Sequence, residues 1–166
     1  IRYPLNYETF FSEIIKEKNL CQKEIWTYDY LLLMNKKSPM ANEPVITDEM
    51  LDKYIQVLHG DNTVPNISTF FQKKSTQIHS HKRHIYVYER GSQFDLLTNV
   101  STTYMWVSPI PQSILEKNQL VQRVCKAENN LYKDVMIFRE DYRQNEYDVL
   151  FQKKLYESKV DVSIKK

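Results

Sequence analysis

Glycine occurs only twice in the 166 residues, at Gly60 and Gly91, and that scarcity limits what the chain can build more than any other feature. A loop that cradles a phosphate needs several clustered glycines, since only backbone without Cβ atoms comes close enough to the phosphate oxygens. Two isolated ones cannot supply it. Kinase-like, P-loop and Rossmann readings are therefore excluded, and no cofactor is expected. The same shortage counts against a tightly coiled barrel, where glycine relieves the corners.

A chain this long buries roughly 70% of the surface it exposes when unfolded, enough for a sizeable core. The 42% apolar and 27% charged residues, with twelve Tyr, seven Phe and two Trp, make a globular mixture. Its longest apolar run, residues 31–34, falls far short of the ~20 residues of a bilayer crossing, so no membrane span is expected. The sequence opens at Ile1 with no Met, basic region or apolar leader. Any targeting peptide is expected to have been removed or never included, and a fragment of a longer protein is expected. Cys21 and Cys125 are expected as buried free thiols rather than a disulfide. Sequons at Asn66 and Asn99 would matter only in a secretory setting.

Apolar residues at Tyr7, Phe10, Phe11, Ile14 and Ile15 follow the spacing of a helix with one buried stripe, and predict a helix over 7–18 capped by Asn6. Alternation from Trp26 to Leu32 suits a strand. Thr47 as N-cap, Asp48 and Glu49 behind it, and Gly60 as a stop frame a second helix with the stripe Leu51, Tyr54, Ile55 and Leu58. Period-two patterning then predicts three strands at 85–89, 93–97 and 102–107, the first turn being Arg90-Gly91-Ser92. Pro109 and Pro111 open a helix carrying Ile114, Val121, Val124 and Cys125. Two more strands follow at 134–139 and 147–156, and the tail from Lys159 is expected to be loose.

The fold class read from this order is α+β: a helical N-terminal third, then a mostly antiparallel sheet of β-β-β-α-β-β order, OB-like or pleckstrin-like. Residues 1–166 are expected to form a single domain, with a helical portion at 1–60 and a sheet portion with one helix at 84–158.

No nucleophile elbow is present, and Cys125 on an apolar stripe is expected in the core. Three histidines cluster at His79, His81 and His84, but Lys82 and Arg83 among them oppose a cation, so no metal site is expected. The positive signal is charge asymmetry: residues 1–60 carry seven basic and nine acidic side chains, and 61–91 carry five basic and two acidic. Beside that basic segment lie aromatic rings at period two. The expected partner-binding surface comprises Lys73, Lys74, His81, Lys82, Arg83, Tyr86, Tyr88, Arg90, Tyr104 and Trp106.

The function read from these features is a non-catalytic interaction module, a subunit of a larger intracellular complex. Its partners would be a protein and single-stranded or duplex nucleic acid. A nuclear location is expected ahead of a cytoplasmic one, with a secreted form left open. The alternative is a metal-dependent nuclease or other hydrolase assembled from dispersed acids, Glu89, Asp95, Glu140, Asp141, Glu146 and Asp148. Enzymatic activity is left undecided, leaning towards none.

Overall fold

The computed structural model describes residues 1–60, 83–126 and 130–162. Its strands, in chain order, are β1 (Arg2–Pro4), β2 (Leu20–Asp29), β3 (Leu31–Asn35), β4 (Ile46–Thr47), β5 (Ile55–His59), β6 (Arg83–Val87), β7 (Thr103–Val107), β8 (Leu120–Arg123), β9 (Cys125–Lys126) and β10 (Leu131–Arg139). The α-helices among the described residues are α1 (Glu8–Glu17), α2 (Arg90–Asn99), α3 (Gln112–Lys117) and α4 (Glu146–Val162). The chain divides into two compact units. Within the described residues, unit 1 comprises 1–30, 108–112 and 130–162, and unit 2 comprises 31–60, 83–107 and 113–126. No helix among the described residues is long and apolar enough to cross a membrane.

In unit 1, β10 lies between β1 and β2 and runs antiparallel to both. Helix α1 forms where the apolar spacing predicts it. It is entered through the 3-10 turn Leu5–Tyr7 and no side chain caps it, so Asn6 does not have the role expected. Phe11 stacks on Tyr3 of β1 with ring centroids 4.7 Å apart, and Ile15 is buried. Alternation along β10 turns Lys133 and Asp134 to opposite faces. Lys133 Nζ meets Glu8 of α1 at 2.6 Å and Glu24 of β2 at 2.9 Å. Asp134 accepts two hydrogen bonds from the Arg2 guanidinium, at 2.7 and 2.8 Å, and one from the Tyr28 hydroxyl at 3.1 Å. Neither Cys21 in this unit nor Cys125 in the other is in a disulfide; Cys125 is buried as expected, whereas Cys21 is only partly covered.

The strand expected over 147–156 is instead helix α4. Asn145 starts it, its Oδ1 accepting the N–H groups of Tyr147 at 2.8 Å and Asp148 at 3.1 Å. An Asn in that place satisfies helical donors that a strand would give to a neighbour, which favours the helix over the alternation of Tyr147, Val149 and Phe151. The helix runs on to Val162, past Lys159 where the tail was expected to become loose.

Unit 2 carries a five-stranded sheet of order β6-β5-β7-β3-β8. Strands β6 and β7 run parallel to β5, whereas β3 is antiparallel to both β7 and β8. A further parallel pair joins β4 to β9. The chain is thus α+β with mixed sheets, and both finer expectations are corrected. Five strands fall within the first sixty residues, so that part is not helical. Parallel neighbours on both sides of β5 are foreign to an OB or pleckstrin-like meander.

Three local misreadings explain the difference. The helix framed by Thr47 and Gly60 is β4, the 3-10 turn Glu49–Lys53 and β5. Gln56 and Val57 are buried while Ile55 and Leu58 are partly covered, and a strand covered on both faces shows a short apolar run rather than clean alternation. The strand expected at 93–97 is α2, in which Gln93 and Leu97, four apart, are the buried positions. The helix expected to carry Val121, Val124 and Cys125 ends at Lys117, and those residues belong to β8, β9 and the link between them.

Candidate functional site

From β5 the chain continues to β6 on one side, and from β6 through α2 to β7 on the other side of β5. The strand order reverses at β5. In open sheets with parallel strands, ligands bind outside the carboxyl ends of the strands near such a reversal. Here the carboxyl edge of β5 and β6 is made by His59, the last residue of β5, and Gly60 after it, and by Tyr88, Glu89 and the first turn of α2 after β6.

The edge is held by specific contacts. Gly60 N–H donates to the Val87 carbonyl at 3.1 Å, tying the end of β5 to the end of β6. The Tyr88 ring fills the space where a side chain at 60 would begin: a Cβ there would lie 2.3 Å from Tyr88 Cε1. A side chain at 60 would displace the Tyr88 ring from this position. The ring is otherwise 69% exposed. Gln93, buried on α2, donates from Nε2 to the Val87 carbonyl at 3.3 Å, and the same nitrogen stands 3.3 Å from His59 Nδ1. An amide nitrogen only donates, so at this contact Nδ1 is the acceptor.

Glu89 caps α2. Its carboxylate accepts from the Gly91 N–H at 2.9 Å, the Ser92 N–H at 2.6 Å and the Ser92 hydroxyl at 2.8 Å. These bonds, that of the Ser92 hydroxyl foremost, hold Glu89 below the usual carboxylate range. The helix amides that a bound anion would use are therefore taken by the chain's own carboxylate. Arg90 follows directly, exposed.

Of the residues chosen from the sequence, Lys73, Lys74, His81 and Lys82 lie outside the described residues, as do His79 and the Asn66 sequon. Tyr88 and Arg90 stand at the carboxyl edge. Tyr86 is on β6 and 60% exposed. Arg83 starts the same strand and donates to the Lys53 carbonyl. Trp106 is half-buried on β7. Tyr104 is fully buried, which corrects its place on an outward aromatic face. Strand β7 lies inside the sheet, paired with β3 and β5, and burial pushes the Tyr104 hydroxyl far above the ordinary tyrosine range. Sequence reasoning missed His59, Gly60 and Gln93. The available signal was a rare glycine directly after an apolar run, which was read as the end of a helix.

The dispersed acids are divided between the two units. Glu89 and Asp95 belong to unit 2, and Glu140, Asp141, Glu146 and Asp148 to unit 1. Asp148 accepts from the Tyr142 hydroxyl at 2.7 Å and the Asn145 N–H at 2.9 Å, a local cap. Among the described residues no group of three or more His, Cys, Asp or Glu is placed to hold a metal ion.

No family model and no curated protein matches this sequence. Solved structures do. The regulatory domain of MetR, a LysR family regulator from N. meningitidis, is similar with a TM-score of 0.56 and 15% identity, over 87% of this chain and 66% of that one. The reduced regulatory domain of OxyR from Pseudomonas aeruginosa gives a TM-score of 0.56 at 12% identity, over 84% of this chain and 66% of that one. The regulatory domain of CcmR from Synechocystis PCC6803, in complex with 2-PG, gives 0.53 at 8% identity, over 88% and 69%. This chain thus spans about two thirds of the length of the first two. The likeness is one of fold. It overturns the complex-subunit and nuclease readings, since the fold is that of regulatory domains rather than of an OB-like or pleckstrin-like adaptor or a nuclease centre. The nuclear placement, which rested on those readings, falls with them. The fold this chain shares is that of the LysR-type regulatory domain.

Proposed function

We propose that this chain is a ligand-sensing regulatory domain that binds a small organic acid at the carboxyl edge of β5 and β6. The observation that carries the reading is the reversal of strand order at β5, with Gly60 kept bare beneath the Tyr88 ring. Support also comes from the fold shared with regulatory domains, one of them in complex with a small molecule. Chemistry at the edge favours an acid. With Glu89 occupying the α2 amides, a ligand carboxylate is directed to the Arg90 guanidinium beside His59, while the Tyr88 ring offers a flat apolar contact. Of the surface chosen from the sequence, Tyr88 and Arg90 are retained here. Residues 1–166 are taken as one domain whose two units are its parts. A protein or nucleic-acid partner would carry the output of sensing.

Thermal melting of the chain against a panel of small organic acids that includes 2-PG tests this. A ligand at a hundred times its Kd adds about 2.7 kcal/mol, a rise in Tm of roughly 5–10 °C for a chain of this size. His59→Ala and Arg90→Ala should lower that rise while leaving the unliganded Tm within about a degree. A panel that never moves Tm, or a rise that survives both substitutions, overturns the proposal.

A further inference from the structure

The Tyr88 ring lies flat on backbone. A Cβ placed on Gly60 would meet three adjacent ring atoms almost equally, Cε1 at 2.3 Å and Cδ1 and Cζ at 2.5 Å. An approach at the ring edge would reach one atom well ahead of its neighbours, so Gly60 lies under the face of the ring. The seat beneath it is fixed. The Val87 carbonyl, in the peptide that leads into Tyr88, accepts from the Gly60 N–H at 3.1 Å and from Gln93 Nε2 at 3.3 Å, which ties the backbone of the ring to β5 and α2. With one face on Gly60 the residue is still 69% exposed, and the face turned away from Gly60 is the one left open. Arg90 follows two residues on, and the carboxylate between them, Glu89, is engaged by the Gly91 and Ser92 amides.

We infer, resting on the reading that this edge binds an acid, that Tyr88 makes the site selective for planar acids: an aromatic carboxylate whose ring stacks on the open face while its carboxylate meets Arg90. Two flat rings in offset contact gain about two- to tenfold in binding beyond the area they cover. A saturated ring of the same size keeps only the area contribution, because its puckered carbons and axial hydrogens hold it off the face. Selectivity then depends on position 60 as much as on position 88. Bare backbone there is what lets the Tyr88 ring lie flat, and one of the two glycines in the chain stands at that point.

Benzoate and cyclohexanecarboxylate separate these contributions, since each carries one carboxylate on a ring of the same size and only the first ring is planar. In amide NMR titrations of the chain near neutral pH, benzoate is expected to bind about two- to tenfold more tightly. Tyr88→Leu should remove that preference, and Tyr88→Phe, which keeps the face, should retain it. Gly60→Ala tests the seat. The φ of Gly60 is not positive, so alanine suits the backbone, and the nearest atoms its Cβ meets are those of the ring. The preference should shrink in Gly60→Ala although Tyr88 is unchanged, and the same substitution should add nothing in a Tyr88→Leu background. If no acid binds through Arg90, the ligand site itself fails and this inference with it. If acids bind through Arg90 but benzoate holds no advantage, or keeps its advantage in Tyr88→Leu, the site stands and planar selectivity is overturned.

Discussion

Strands β3 and β10 each run through the middle of a sheet, yet they are buried in different ways. All five residues of β3 are buried, Leu32, Leu33 and Met34 completely, whereas only Val135 of the nine in β10 is. One face of β3 meets α2, where Asn35 Nδ2 donates to the Thr98 carbonyl. Its partner β8 is tied by Arg123 to the carbonyls of Ala41 and Glu43. Strand β10 instead turns a charge to each face, Lys133 against Glu8 and Glu24, and Asp134 against Arg2 and Tyr28. Apolar burial holds unit 2, and in unit 1 partnered polar groups share that work.

The sharpest way to break this contrast is truncation in β3. Leu32→Ala should cost about 2–5 kcal/mol in denaturant unfolding, because a completely buried leucine leaves a cavity that its neighbours fill only in part. Ile137→Ala, on the partly covered stretch of β10, should cost roughly half as much or less. Comparable losses at the two positions would erase the distinction.

Removing one hydroxyl from each unit should give a smaller and opposite pair of effects. Tyr28→Phe deletes a donor to the Asp134 carboxylate and should cost about 1–2 kcal/mol. Tyr104→Phe deletes a buried hydroxyl that has no hydrogen-bond partner among the described residues, and should be neutral or stabilising by up to ~1 kcal/mol. Equal destabilisation by both would show that the Tyr104 hydroxyl is satisfied in solution.

The smallest effect is in pH dependence. The hydrogen bond from Lys133, then that from Thr27, holds Glu24 below the usual carboxylate range, while Glu8 foremost and Glu24 hold Lys133 above the usual lysine range. A carboxylate depressed by folding contributes above its unfolded pKa, and that contribution is lost as pH falls through the folded value. For the raised lysine, the contribution is complete below its unfolded pKa and is lost as pH rises through the folded one. Glu24 is half exposed, so solvent screening keeps its share below about 1 kcal/mol. Lys133→Met should therefore lower stability slightly near neutrality and flatten the decline below the carboxylate range. An unchanged acid slope would remove this cluster from the stability of unit 1.

The same contrast explains what could be read in advance. In unit 1, α1 was legible because Phe11 and Ile15 sit on a stripe facing the sheet, and the strand expected over 134–139 covers most of β10. Helix α4 was not, because its apolar residues point away from the sheet and mimic a strand when read two apart. In unit 2 the parallel strand β5 was hidden, since cover on both faces erases the alternation that marks a strand. Its neighbour Gly60 looked like a helix stop because nothing local reveals the ring of Tyr88 lying against it. The glycine argument also went one step too far. Scarcity of glycine does exclude a phosphate-cradling loop, but a parallel sheet with a helical crossover needs none where Glu89 caps the helix that follows β6. Among the described residues of the surface chosen beforehand, Tyr88 and Arg90 stand at the candidate site, whereas the partners that define it, His59 and Gln93, meet across 34 positions of sequence.

Backbone amide NMR during titration with whichever acid stabilises the chain most would test the proposed ligand site most directly. Shifts should concentrate at His59 and Gly60 and over 88–93, and should disappear in Arg90→Ala. Saturable shifts confined to other parts of the molecule, with those residues unmoved, would contradict it.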